Sequence, residues 1–344
     1  FYQDTDTKAS SKEFTPGYPE YLGIVRPDNL EYYSVEKDDL KESAVFGEIG
    51  YQITEAWQVT VGARFYEYKL DTESAFDTPL FNTFDQGAPS DEVVLNFEPA
   101  GQNDQGDLYK FNTSYQFMPE LLAYLTISEG YRIGNSNGIA ACPVPLDPGP
   151  NLCALPNELA YFPDETTNYE IGAHSTWLDG RLTLNGAIYY MDWDKPQVSS
   201  ATENGLLPIK KNGSSAESHG VELSFNWVAS DRVRLRGSYS YAKAELTDDV
   251  PGLVGTISPP GFQGTITYLP GESGDRLPGS PEHQGNVFVS YTLPVFQTYE
   301  LELDYGMTAI SNVLTRAGKK GFGESLDGYV IQDIGATLSR DQWT

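Results

Sequence analysis

The chain has no run approaching the roughly 20 apolar residues that a membrane-spanning helix needs, and its mean hydropathy is only -0.41. Lys and Arg are scarce, 22 against 49 Asp and Glu, for a formal net charge of -27. That balance excludes a nucleic-acid partner, which requires a basic face. Three histidines, His174, His219 and His283, lie far apart and form no metal-ligand spacing. Cysteine is limited to Cys142 and Cys153, both in the Pro-rich stretch 141–153. Two cysteines that close, with no others, read as a local disulfide in an oxidising compartment. The chain has no HExxH zinc motif and no dinucleotide fingerprint. Gly134-Asn135-Ser136-Asn137-Gly138 matches GxSxG, but a Pro-rich segment follows where a nucleophile elbow needs a helix. Gly318-Lys319 lacks the upstream glycine and the Ser or Thr of a phosphate loop. No sequence feature asks for a cofactor or metal, and an enzyme is not expected.

Abundant aromatics and strict alternation fill the space these absences leave. Aromatic residues make up 13% of the chain, with 23 tyrosines. Val45, Gly47, Ile49, Tyr51 and Ile53 share one face of a strand, and Glu48, Gln52 and Thr54 share the other. The same period recurs in Trp57–Phe65, Tyr109–Phe117, Tyr169–Trp177, Leu182–Tyr190, Val221–Trp227, Val233–Tyr241 and Tyr299–Tyr305. The strands come in pairs. Within a pair the connection is short, as at Glu55-Ala56, Met118-Pro119-Glu120, Leu178-Asp179-Gly180 and Ser230-Asp231. Between pairs it is long: about 71–107, 135–165, 195–214 and 247–283. Short turns at one end and long loops at the other describe a transmembrane β-barrel. Trp57, Trp177 and Trp227 beside the turns, and Tyr66, Tyr68, Tyr190 and Trp193 toward the loops, suit its two aromatic girdles.

The expected fold is therefore all-β: a partial transmembrane antiparallel barrel of about eleven strands, with residues 1–40 mostly extracellular loop and 41–344 forming strands with long external loops. An odd count and exposed edges point to part of a larger barrel. Phe1 reads as internal sequence with no signal peptide, and Gln342-Trp343-Thr344 reads as the start of another strand.

Three stretches carry a family resemblance. Ser128-Glu129-Gly130-Tyr131-Arg132-Ile133-Gly134-Asn135-Ser136-Asn137 resembles the GYR-x-G-x-x-N strand-to-loop segment of TonB-dependent outer-membrane receptors. Glu165 to Gly172, then Trp177 to Leu182 and Tyr189 to Trp193, is similar to that family's E-x-x-x-Y-E-x-G … G-R-L … Y-x-x-x-W hairpin. Asn212 to Glu222 resembles its N-x-x-x-A-x-x-x-G-x-E strand start. The likeness spans about Val45 to Thr344. It implies a barrel of about 22 strands with a lumen plug, and active import of a scarce ligand, a ferric siderophore or other iron complex first, energised by the TonB complex. Bacterial outer-membrane lipid and lipopolysaccharide would surround the wall. Plug, TonB box and closing strands are not in this sequence.

Candidate ligand-binding residues are Tyr131, Arg132, Asn135 and Asn137, where a strand leaves the membrane. Arg can hold an anionic chelate through its fork, and Tyr can stack. The alternative is structural, with Tyr131 in a girdle and Arg132 in a salt-bridge ladder. Arg232, Arg234 and Arg236 are expected to pair with Glu222 on the neighbouring strand. A passive porin-like barrel and a soluble all-β binding module stay open as other readings.

Overall fold

The computed structural model describes residues 1–85, 87–143, 145, 153–203, 207–257, 266–296 and 298–340. Twelve strands form one antiparallel sheet. They are β1 (Tyr2–Phe14), β2 (Leu30–Thr54), β3 (Trp57–Asp77), β4 (Glu98–Met118), β5 (Leu121–Arg132) and β6 (Asp164–Trp177). β7 (Leu182–Asp194), β8 (Ser215–Ser230), β9 (Val233–Leu246), β10 (His283–Val295), β11 (Tyr299–Ile310) and β12 (Tyr329–Ser339) complete it. Each pairs with its neighbours in sequence, so the sheet is a plain meander. Among the described residues β1 and β12 do not pair with each other, and the sheet is an arc of a barrel. Among these residues no helix is long and apolar enough to cross a membrane.

The short turns fall where alternation placed them, and the register keeps the apolar sets together. Val61 faces Ile49 and Phe111, Leu125 faces Ile171, and Ile171 faces Ile188. This continuous face is exposed: Ile49, Val61, Ile171 and Ile188 are each about half bare or more. A soluble sandwich would cover such a face; only lipid suits it. Trp57, Trp177 and Trp227 line its turn-side border. An Ile171→Arg substitution places a charge mid-wall and is expected to cost about 2–4 kcal/mol. Guanidinium unfolding in lipid vesicles checks this, and an unchanged midpoint would mean the face is not in hydrocarbon.

The opposite face is polar and concave, and the long loops fold onto its outer end. Ala216, Ala244 and Leu246 alternate with the outward Glu217 and Glu245, and they pack against Val198, Val250, Leu253, Leu277 and Ala317 from three loops. Tyr66, Tyr68 and Leu70 form a second inward cluster with Ala44. At three inward glycines a neighbouring ring lies over the gap: Tyr124 over Gly172, Tyr189 over Gly220 and Phe288 over Gly306.

Five expectations change. The sheet has twelve strands, not about eleven, because β1 is a strand. Residues 1–40 are thus not mostly loop: Tyr2–Phe14 pairs along the outer extension of β2. Almost every β1 residue is exposed, so the segment has no buried face and hence no alternation to read. β3 and β4 run on to Asp77 and back to Glu98, shortening the loop expected at 71–107. Tyr66, Tyr68 and Trp193 face inward rather than joining the outer girdle; only Tyr190 stays outside, donating to Asp192 and Glu217. Among the described residues no ion pair links Glu222 to Arg232, Arg234 or Arg236; Arg236 instead sits 5.0 Å over the Phe288 ring, because register sets it opposite Phe288 and puts Ser240 opposite Glu222. The strand expected at 342–344 lies outside the described residues.

Candidate ligand-binding site

The functional end is the mouth, where β5, β6 and β7 leave the wall. Asp164 opens β6 and its side chain is 1% exposed. It accepts from Arg132 Nε at 3.0 Å and from Arg132 Nη2, from Trp193 Nε1 at 2.9 Å, and from the Gln197 amide at 3.0 Å. The forked guanidinium suits a carboxylate that burial would otherwise penalise. It also lies 4.9 Å over the Trp193 ring. Asp164 stands thirteen residues from Trp177 at the turn-side end of its strand, outside the spanning part. Burial raises its carboxyl, but the bonds from Arg132, Gln197 and Trp193 outweigh that and hold it below the usual carboxylate range.

The other sequence candidates are engaged nearby. The Tyr131 ring stacks on Tyr66 at 3.8 Å, and its hydroxyl donates to Glu42, which also pairs with Arg64. Asn135 accepts from Thr72 Oγ1 at 2.9 Å, tying the 133–163 loop to β3. Asn137 Nδ2 donates to the carbonyls of Glu158 and Lys210, and its Oδ1 accepts from the Lys210 amide. Tyr131 and Arg132 thus adjoin the mouth, while the two asparagines staple loops together. The GxSxG serine, Ser136, donates to the Leu159 carbonyl and accepts from the Gly138 amide. A disulfide joins Cys142 and Cys153, with Cα atoms 4.9 Å apart, beside the bonds of Ala154 to Cys142 and Ala140.

Sequence reasoning missed a cavity of about 560 Å³ at the mouth. Arg132 and Trp193 form one side, Arg316 and Phe322 of the 311–328 loop form the other, and Ser199 and Ser200 lie between. No Asp or Glu is among its described lining residues, in a chain with 49 of them. Arg132 is committed to Asp164. Arg316 makes one bond, from Nη1 to the Gly255 carbonyl at 3.1 Å, and among the described residues no ion pair. Nearby Lys320 is neutralised by Glu272 and Asp275. Tyr268 buttresses this loop layer by donating to the Thr202 and Glu203 carbonyls; burial pushes its hydroxyl up to about 12, so it stays a neutral donor. No local motif could have flagged Arg316, because its setting comes from strands and loops far apart in sequence.

The hairpin meander has counterparts. The family model described as TonB dependent receptor-like, beta-barrel matches residues 1–344. The chain belongs to the TonB-dependent receptor β-barrel family. Its members are transport receptors of the bacterial outer membrane, so the apolar convex face meets lipid there. Among curated relatives, the metal-pseudopaline receptor CntO of Pseudomonas aeruginosa is 23% identical over 284 residues, covering 82% of this chain and 32% of the relative. This chain therefore spans under two thirds of the length of the curated relatives it matches. Among solved structures, the ferric yersiniabactin uptake receptor FyuA of Yersinia pestis superposes with TM-score 0.67 at 15% identity, over 100% of this chain and 43% of that one. The ferric-catecholate import receptor Fiu of E. coli K12, closed form, gives 0.61 at 16%, over 99% and 45%. At such identity the likeness shows the fold.

Proposed function

We propose that this chain forms the ligand-collecting arc of an outer-membrane receptor that actively imports a scarce metal chelate, a ferric siderophore or other iron complex first, with energy from the TonB complex. The observation that carries this reading is the mouth cavity: two arginines, two aromatic rings and no carboxylate, inside a protein of net charge -27. A diffusion pore has no use for such a pocket. An anionic, ring-bearing chelate does, since guanidinium groups pair with its oxygens and rings stack on its ligand arms. Relatives named for metal-pseudopaline and ferric-siderophore uptake support the cargo class. The Arg132–Asp164–Trp193 unit then acts as a rigid floor and Arg316 as the responsive cation.

The test is uptake of radioactive iron by cells carrying the barrel-bearing protein, with and without TonB. Ferric catecholate, ferric hydroxamate and ferric opine-type chelates are offered in turn. Uptake of one class that vanishes without TonB is expected. Uptake of none, or uptake indifferent to TonB, overturns the reading.

A further inference from the structure

The lipid-facing wall carries a trough in its outer half. One cross-strand row runs Tyr239, Gly285, Ala309, Val330 through β9, β10, β11 and β12. Two adjacent strands thus place their smallest outward residues side by side, between a tyrosine and a valine. Leu223, Tyr239 and Phe225 raise one bank, and Tyr329 and Val330 the other; Val287 and Met307 continue the floor below. The trough holds about 800 Å³ and is almost wholly apolar in lining. That volume lies within the roughly 300–1,000 Å³ of ordinary small-molecule sites. Gly237, an outward glycine on the adjacent strand, is covered by the Phe225 ring. At Gly285 only the edge of the Tyr239 ring comes near, its Cδ2 3.6 Å from where a Cβ would stand, and the Tyr239 hydroxyl bonds His283 Nδ1 at 2.8 Å. At the outer end the His283 amide donates to Ser311 Oγ at 3.0 Å.

Depth identifies the occupant. Ala309 is ten residues from Tyr299 at the short turn. At about 3.3 Å per residue and a tilt of 35–45°, it stands roughly 25 Å up, at the outer border of the apolar band. The trough therefore opens into the outer leaflet, with its mouth at head-group level. We propose that it seats one acyl chain of the outer-leaflet glycolipid, lipopolysaccharide, as an individually bound lipid rather than as bulk solvent. The groove is continuous with the lipid interface of the wall, and its apolar lining suits a hydrocarbon chain and nothing charged. Because the chain is already out of water in the leaflet, the gain comes from closer van der Waals packing against Gly285 and Ala309 than neighbouring lipid tails provide.

The test uses the barrel-bearing protein extracted from outer membranes in mild detergent and weighed by native mass spectrometry. Wild type is expected to retain one lipid A-sized adduct. Ala309→Phe, which fills the trough from the lipid side, is expected to lower adduct occupancy at least tenfold; Ala309→Leu gives a smaller loss. Val61→Phe, on the same lipid face but outside the trough, leaves occupancy unchanged. Heat-modifiable migration confirms that each variant is folded, and the milder Ala309→Leu carries the test if Ala309→Phe does not insert. A wild type without adduct, a phospholipid adduct in place of lipid A, or equal occupancy in the filled variants overturns the proposal.

Discussion

Arg132→Ala weakens the mouth by about 2–3 kcal/mol and reverses its pH response. The Asp164 carboxylate is the buried member of the pair, at 1% exposure, while the Arg132 side chain is 53% exposed. Removing one partner of a fully buried pair costs about 3–5 kcal/mol, because the remaining charge is left uncompensated. Here solvent screens the half-exposed guanidinium, and Asp164 keeps the Trp193 and Gln197 donors, so a smaller loss is expected. The sign of the pH effect follows from linkage. In the native protein the folded carboxyl sits below its unfolded value, near 3.9. Its contribution is therefore full above that pH and fades as pH falls through the folded value. Without Arg132, burial is the largest remaining influence, and against the Gln197 and Trp193 bonds it is expected to lift the folded carboxyl above the unfolded value. The folded state then binds more protons than the unfolded one, and stability declines as pH rises from about 4. Unfolding midpoints in guanidinium between pH 4 and 7, followed by tryptophan emission, should be flat for wild type and fall with pH for the variant. Arg132→Lys keeps the charge without the fork and should lie between them. Parallel pH curves for all three would show that Asp164 does not depend on Arg132.

The hairpin rhythm was legible because lipid on one side and water on the other impose a period of two that no other setting sustains over so many strands. Val45 to Ile53 and Tyr299 to Tyr305 announce their faces outright. β1 was illegible for the converse reason. It stands outside the membrane, both faces are wet, and Gln3-Asp4-Thr5-Asp6-Thr7-Lys8 has no pattern to show. Tyr66, Tyr68 and Trp193 misled because an aromatic near a strand end reads the same whether it faces a membrane interface or an inward loop layer. Parity would have helped. Tyr66 and Tyr68 share a face with Arg64, and Trp193 shares one with Tyr189. Arg132 was legible as a mouth residue, yet its partner lies 32 positions away, and so its tie to Asp164 was not. The Asn135 and Asn137 staples depend on β3 and the 208–212 strand, which only the fold brings near.

Arg316→Ala is expected to lower affinity for the imported chelate by about 10–100-fold while leaving the fold intact. The guanidinium contributes one bond to the protein, to the Gly255 carbonyl, so its loss costs little stability. A hydrogen bond between a charged donor and a ligand oxygen contributes about 1.5–3 kcal/mol, and each 1.4 kcal/mol is tenfold in binding. Phe322→Ala removes an exposed ring whose stacking is worth about 0.5–1.5 kcal/mol, so a loss of a few-fold to roughly tenfold is expected. Wild-type affinity should fall with added salt, and the Arg316 variant should respond less, because the screened charge is gone. Trp193 lines the same cavity and provides the readout: quenching of its emission by a ferric chelate, titrated against both variants and Trp193→Phe. Arg132→Ala makes the decisive comparison. If it weakens binding only as far as it loosens Trp193, Arg132 positions the floor and Arg316 meets the ligand. If Arg316→Ala binds as wild type does while Arg132→Ala does not, the roles are exchanged, and the buried carboxylate must release its guanidinium when the ligand arrives.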